Sequence, residues 1–190
     1  MRRWACVFGV VAALSGEAWA HPGHVAPSFA GGFAHPVTGL DHVLAMLAVG
    51  LWAAQSGGRA RWVLPLTFVA VMGVGGALGT AGVRFPLVEA GIASSVVALG
   101  LLIACAARWP MAISAPLVGA FALLHGHAHG TELPAAASGS AYAAGFVTAT
   151  AMLHGAGLWL GHAAATRGHV RLVRAAGAGI AVVGTVLAIS

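Results

Sequence analysis

Two clusters of histidine and carboxylate side chains interrupt stretches that are otherwise apolar enough to cross a membrane. Their members are His35, Asp41 and His42 in the first cluster, and His125, His129 and Glu132 in the second. An aspartate at the centre of a membrane helix costs roughly 2.5–3.5 kcal/mol on insertion, so polar side chains at that depth usually line an ion or proton path. Imidazole and carboxylate groups together favour a divalent transition metal. We therefore predict that the two clusters hold a metal ion.

The second cluster has the spacing of a ligand set on one helix face. His125 and His129 are four residues apart, and Glu132 lies seven residues after His125. All three side chains return to the same face if the helix persists that far. His127 points the other way and is at most an additional contact.

The first cluster leaves more than one arrangement open. His35 and His42 are seven residues apart and would share a face of a single helix. Pro36 suits a first helical turn, however, so His35 could instead lie at the helix entrance. Asp41 could bind the metal directly or orient a histidine that does. Met46, one turn after His42, could add a thioether ligand.

Four further residues could contact the metal or serve the fold alone. His154 lies in another apolar segment, where it could bind the metal or form a hydrogen bond between helices. Glu89 could stabilise a helix start, where negative charge is favoured, or join the site. His21 and His24 would begin the mature chain, either capturing metal together with the terminal amine or forming a tail without that role.

The composition predicts an all-α, polytopic membrane helix bundle. Apolar residues make up 59% of the chain and charged residues only 7%, against about 25% charged residues in soluble domains. The net charge of +5 comes from arginine without any lysine. These arginines lie in short gaps between apolar runs, which is typical of topology control and not of nucleic-acid binding. We expect the lipid bilayer as a partner and no nucleic acid.

The first twenty residues have the pattern of a signal peptide. Met1-Arg2-Arg3 is basic, and the apolar core over 4–14 is too short to span a membrane comfortably. Ala18-Trp19-Ala20 has the small-x-small pattern of a cleavage site. We expect residues 1–20 to be removed and residues 21–190 to form one domain. The alternative is an uncleaved first helix.

Six apolar segments follow, each near the roughly 20 residues that a membrane-spanning helix needs. They are Val37–Ala54, Trp62–Ala81, Val88–Ala107, Met111–Ala128, Tyr142–Leu160 and Leu172–Ile189. With the mature N-terminus outside a bacterial inner membrane, six of the seven arginines beyond residue 20 fall on the cytoplasmic side, as the positive-inside rule requires. This topology brings both clusters to the external ends of the first and fourth spans.

At these residues the chain resembles the HupE/UreJ family of nickel permeases. The resemblance rests on His35-x5-Asp41-His42 and on the run from His125 to Glu132, and it covers essentially the whole mature chain. It implies uptake of nickel, with cobalt as an alternative, to supply hydrogenase or urease maturation. It also implies that five residues matter for transport: His35, Asp41, His42, His125 and Glu132.

The mode of transport follows from what the sequence lacks. No phosphate-binding Gly-x4-Gly-Lys-Ser/Thr loop is present, so we expect ATP-independent transport. We also expect no enzymatic activity and no permanently bound cofactor. Two alternatives stay open. One is an intramembrane zinc hydrolase with Glu132 as the base, although no His-Glu-x-x-His motif is present. The other is a membrane subunit of a larger metal importer.

Overall fold

The computed structural model describes residues 28–133 and 139–189, and every regular element in these ranges is a helix. We number the helices in chain order: α1 Phe29–Thr38, α2 Leu40–Ser56, α3 Ala60–Thr80, α4 Val88–Ala104, α5 Met111–Thr131, α6 Gly139–Thr166 and α7 Val170–Ile189. The predicted signal peptide, His21 and His24 lie outside the described residues.

The first predicted span is broken where the sequence suggested a continuous helix. Gly39 has an extended backbone (φ −89°, ψ 120°), and α1 and α2 meet there at 85°. Helix α1 begins further upstream, where the Ser28 hydroxyl accepts the N–H of Gly31. Pro36 therefore lies in the last turn of α1 and does not start a helix. The expectation that His35 and His42 share one helix, or that His35 lies at its entrance, is wrong.

In the described residues, fewer helices have the length and hydropathy of a membrane span than the six we predicted. Four helices, α3, α5, α6 and α7, are long and apolar enough to cross a membrane, and the bent pair α1–α2 would make a fifth span. Helix α4 is apolar but has only 17 residues, about 26 Å of helix, against a hydrocarbon core of about 30 Å. It ends before the predicted Ala107 because the chain turns at Ala106, which has a positive φ of 53°.

Close backbone contacts between helices fix the height of the second cluster. A Cβ atom on Gly126 would overlap the backbone carbonyl of Met72, so α5 lies directly against α3 at that point. Gly157 of α6 similarly touches the backbone of α2 at Leu47. Membrane helices use such small residues to approach closely, because burial of apolar surface gives them little reason to associate in lipid. The resulting packing sets α5 directly against α3, and α6 directly against α2.

Candidate metal centre

The two sequence clusters meet at one end of the bundle. We call this end the mouth; it is formed by the last turn of α1, the first turn of α2 and the last two turns of α5. The His42 ring lies 4.9 Å from the His125 ring and 4.4 Å from the His129 ring, measured between centroids. The His35 ring lies 4.6 Å from the His129 ring. His129 therefore contacts both histidines of the first cluster.

The outermost layer of the site consists of His35, His129 and Glu132. Each offers one ligand atom, and the three atoms all lie within 4.8 Å of one another. The His35 Nε2–H donates to Glu132 Oε2 at 3.2 Å. This hydrogen bond lowers the pKa of Glu132, so its carboxylate stays charged at neutral pH. The His35 and Glu132 side chains are 36% and 57% exposed, so this layer is open to solvent.

Below it, the Asp41 carboxylate sets the orientation of His42. Asp41 Oδ1 accepts both the backbone N–H of His42 and its ring Nδ1–H, each at 2.8 Å. With Nδ1 protonated, the lone pair of neutral His42 lies on Nε2, which is buried and has no hydrogen-bond partner. A carboxylate that fixes the tautomer of a histidine in this way is the usual partner of a metal-binding imidazole.

Ser95 of α4 sets the tautomer of His125 in a similar way. The sequence did not lead us to predict Ser95 as part of the site. The Ser95 hydroxyl donates to the Ile92 carbonyl at 2.7 Å, so its oxygen accepts the His125 Nε2–H at 2.9 Å. The free lone pair of His125 is then on Nδ1, which is buried without a partner. The sequence feature that could have indicated this role is a serine pair, Ser94-Ser95, inside an otherwise apolar helix.

A cavity of about 250 Å³ lies between the clusters and opens at the mouth. Its lining includes His35, Asp41, His42, Glu89, His129 and Glu132. A water molecule takes about 30 Å³ of liquid volume, so this space accommodates a divalent ion with several of its waters. Glu89 lies in the first turn of α4 and also faces this cavity, so the two roles considered for it are compatible.

Three other candidate residues lie away from this cavity. The His127 Nε2–H donates to the Val83 carbonyl at 2.6 Å, and the ring stacks on Phe85 at 4.4 Å, on the opposite side of α5. Met46 is fully buried in the apolar core. His154 is buried deeper in the bundle, with its ring 5.0 Å from the Phe68 ring.

The fold and the site together define a multi-pass helical membrane protein with a cluster of candidate cation ligands at one end. The chain belongs to the HupE/UreJ family, whose model, described as HupE / UreJ protein, matches residues 9–187. It is 44% identical over 175 residues to Protein HupE of Rhizobium leguminosarum bv. viciae, covering 92% of each chain. No solved structure matches it.

Proposed function

We propose that the protein is an ATP-independent permease that moves Ni²⁺, or Co²⁺, into the cytoplasm for hydrogenase or urease maturation. Membership of the HupE/UreJ family is consistent with this role. The observation that carries the proposal is the set of unpartnered ring nitrogens at the mouth: His42 Nε2, His125 Nδ1 and both nitrogens of His129.

Unpartnered nitrogens are costly unless a ligand uses them. Leaving a buried polar atom without a hydrogen bond costs about 1–3 kcal/mol. Of these residues, His42 and His129 line one cavity, together with the carboxylates of Asp41, Glu89 and Glu132. His125 lies beside His42, with their ring centroids 4.9 Å apart. Neutral imidazole nitrogens together with carboxylate oxygens suit nickel and cobalt, and also copper and zinc. The donor set therefore supports a transition-metal cargo and leaves the choice among these ions to competition experiments.

The layering of the site supports a stepwise path for the ion. His35 and Glu132 are open to solvent, and the negative charge of the Glu132 carboxylate attracts a cation from solution. His129 contacts His35 on one side and His42 on the other. An ion can thus exchange ligands one at a time, from a layer that includes a carboxylate to a layer of imidazoles, while it loses water.

The membrane potential can supply the driving force. Moving two positive charges inward gains about 4–5 kcal/mol per 100 mV. Inward movement requires the mouth to face outside, and the arginine distribution of the sequence supports that orientation. In this proposal the cell needs no nucleotide hydrolysis to accumulate the metal.

Purified protein in liposomes tests the proposal. We expect ⁶³Ni²⁺ uptake that rises with an inside-negative potential and is lost in the His42→Ala variant. Absence of flux in sealed liposomes with correctly inserted protein would contradict it. An intramembrane zinc hydrolase would give no flux, and an importer subunit would give flux only with its partners present.

A further inference from the structure

His154 is a buried histidine near the middle of α6 that the site at the mouth does not use. It is 2% exposed, and neither of its ring nitrogens has a hydrogen-bond partner. An unpartnered imidazole in a membrane-spanning helix is unfavourable, since neither lipid nor an apolar core replaces its bonds to water. Histidines that merely tie helices together would form such a bond, so His154 lacks that structural explanation.

The position of His154 can be measured along α6 from the mouth. The Phe146 ring of α6 lies 4.2 Å from the His129 ring. His154 follows Phe146 by eight residues, which is about 12 Å along the helix. His125 precedes His129 by four residues, about 6 Å along α5. His154 is therefore about 6 Å farther from the mouth than His125, or one helical turn.

One aromatic side chain connects the two levels. The fully buried Phe68 ring of α3 lies 5.7 Å from the His125 ring and 5.0 Å from the His154 ring. His154 is thus the next imidazole inward from the site at the mouth.

Further donor atoms lie one turn above His154. Thr150 is four residues before His154 on α6, and its hydroxyl donates to Met72 Sδ at 3.9 Å. Both side chains are buried. A hydroxyl and a thioether therefore lie near the level of His125, one turn closer to the mouth than His154.

We propose that His154 is an inner binding station for the divalent cation, reached after His125. This inference rests on the proposed transport function. A bare divalent ion is very unfavourable in an apolar interior, so it needs a ligand at intervals across a hydrocarbon core of about 30 Å. Conduction also favours several weak sites over a single strong one, because the ion must be able to leave each of them.

Two variants of His154 test the proposal in the full-length protein. His154→Leu keeps an apolar side chain of moderate size but removes both nitrogens. His154→Cys, made together with Cys105→Ser, replaces the imidazole with a thiol that forms a charge-transfer band when Co²⁺ binds to it. His162, exposed on the same helix, gives the matched controls His162→Leu and His162→Cys.

We expect His154→Leu to bind Ni²⁺ at the mouth like the wild type in detergent, but to lose at least about tenfold of its flux in liposomes, because losing even a partner outside the ligand shell of a metal site typically costs about 10–100-fold. We expect the thiolate–cobalt band in His154→Cys and none in His162→Cys. Wild-type flux in His154→Leu would overturn the inference, as would absence of the band while Co²⁺ still binds at the mouth. Should the leucine variant not fold, the cobalt band alone decides.

These outcomes are distinct from a failure of the proposed function. If variants at the mouth such as His42→Ala bind and transport Ni²⁺ normally, the transport site itself has been misassigned. If those variants fail while His154→Leu is normal, only the inner station is wrong.

Discussion

The two faces of α5 carry histidines only two residues apart, and these histidines are in opposite situations. His127 has a short hydrogen bond to a loop carbonyl and a stacked phenyl ring. His129, also buried, has no hydrogen-bond partner at either nitrogen and is surrounded by the rings of His35, His42 and Phe146. His127 is thus held at Nε2, and its unpartnered Nδ1 belongs to a residue outside the lining of the mouth cavity, whereas both nitrogens of His129 are left available to a ligand there. Helical spacing in the sequence predicts the different faces, but it does not reveal the hydrogen-bond partners.

The strongest test of this contrast is to remove the imidazole of His129. We expect His129→Gln to lower Ni²⁺ flux by more than about a hundredfold, because even partners outside the ligand shell typically contribute 10–100-fold. The measurement is ⁶³Ni²⁺ uptake in liposomes, normalised to folded protein. His127→Gln is the matched control on the same helix, and equal losses in both variants would remove the distinction between the faces.

The second-largest effect is expected when the tautomer of His42 is changed. Asp41→Asn keeps the shape of the side chain but allows its amide to donate to Nδ1, which would move the ring proton to Nε2 and block the free lone pair. We expect Ni²⁺ affinity to fall about 10–100-fold with little change in protein stability. Isothermal titration in detergent measures the affinity. Unchanged affinity in Asp41→Asn would show that the proton on His42 is not set by this carboxylate.

A smaller loss is expected at the corresponding partner of His125. Ser95→Ala removes the acceptor that holds Nε2–H, so both tautomers of His125 become accessible. We expect Ni²⁺ affinity to fall by about tenfold, at the lower end of such effects. Ser94→Ala, at the neighbouring position on α4, is the control. A larger loss in Ser94→Ala than in Ser95→Ala would contradict the hydrogen-bonded arrangement.

Part of this site could be predicted from spacing alone. The four-residue interval between His125 and His129 needs only a continuous helix, and α5 persists to Thr131, so the interval gives the expected shared face. The convergence of the two clusters likewise followed from counting spans and arginines. Helices α3, α5, α6 and α7 lie close to the predicted segments, because long apolar runs are the strongest signal in a membrane sequence.

Two other features of the site, the break between α1 and α2 and the contact of Ser95 with His125, depend on backbone geometry and packing that a hydropathy pattern does not show. The apolar run after Val37 does not reveal that Gly39 is extended, so the 85° break between α1 and α2 could not be predicted. That break turns His35 toward Glu132 from a separate helix. The contact of Ser95 with His125 depends on how α4 packs against α5, which a serine in an apolar segment does not specify.

The smallest effect on transport is expected on the face of α5 that carries His127. His127→Phe keeps an aromatic ring to stack on Phe85 but removes the donor to the Val83 carbonyl. The lost hydrogen bond is worth about 0.5–1.5 kcal/mol, and the exposed Val83 can bind water instead, so thermal unfolding in detergent should begin at a slightly lower temperature. Flux per folded molecule should stay within about twofold of the wild type, since His127 does not line the cavity at the mouth. A tenfold loss of flux without a loss of stability would mean that this histidine also serves the ion. The position of a histidine relative to the mouth cavity would then no longer distinguish ligands from structural residues in this protein.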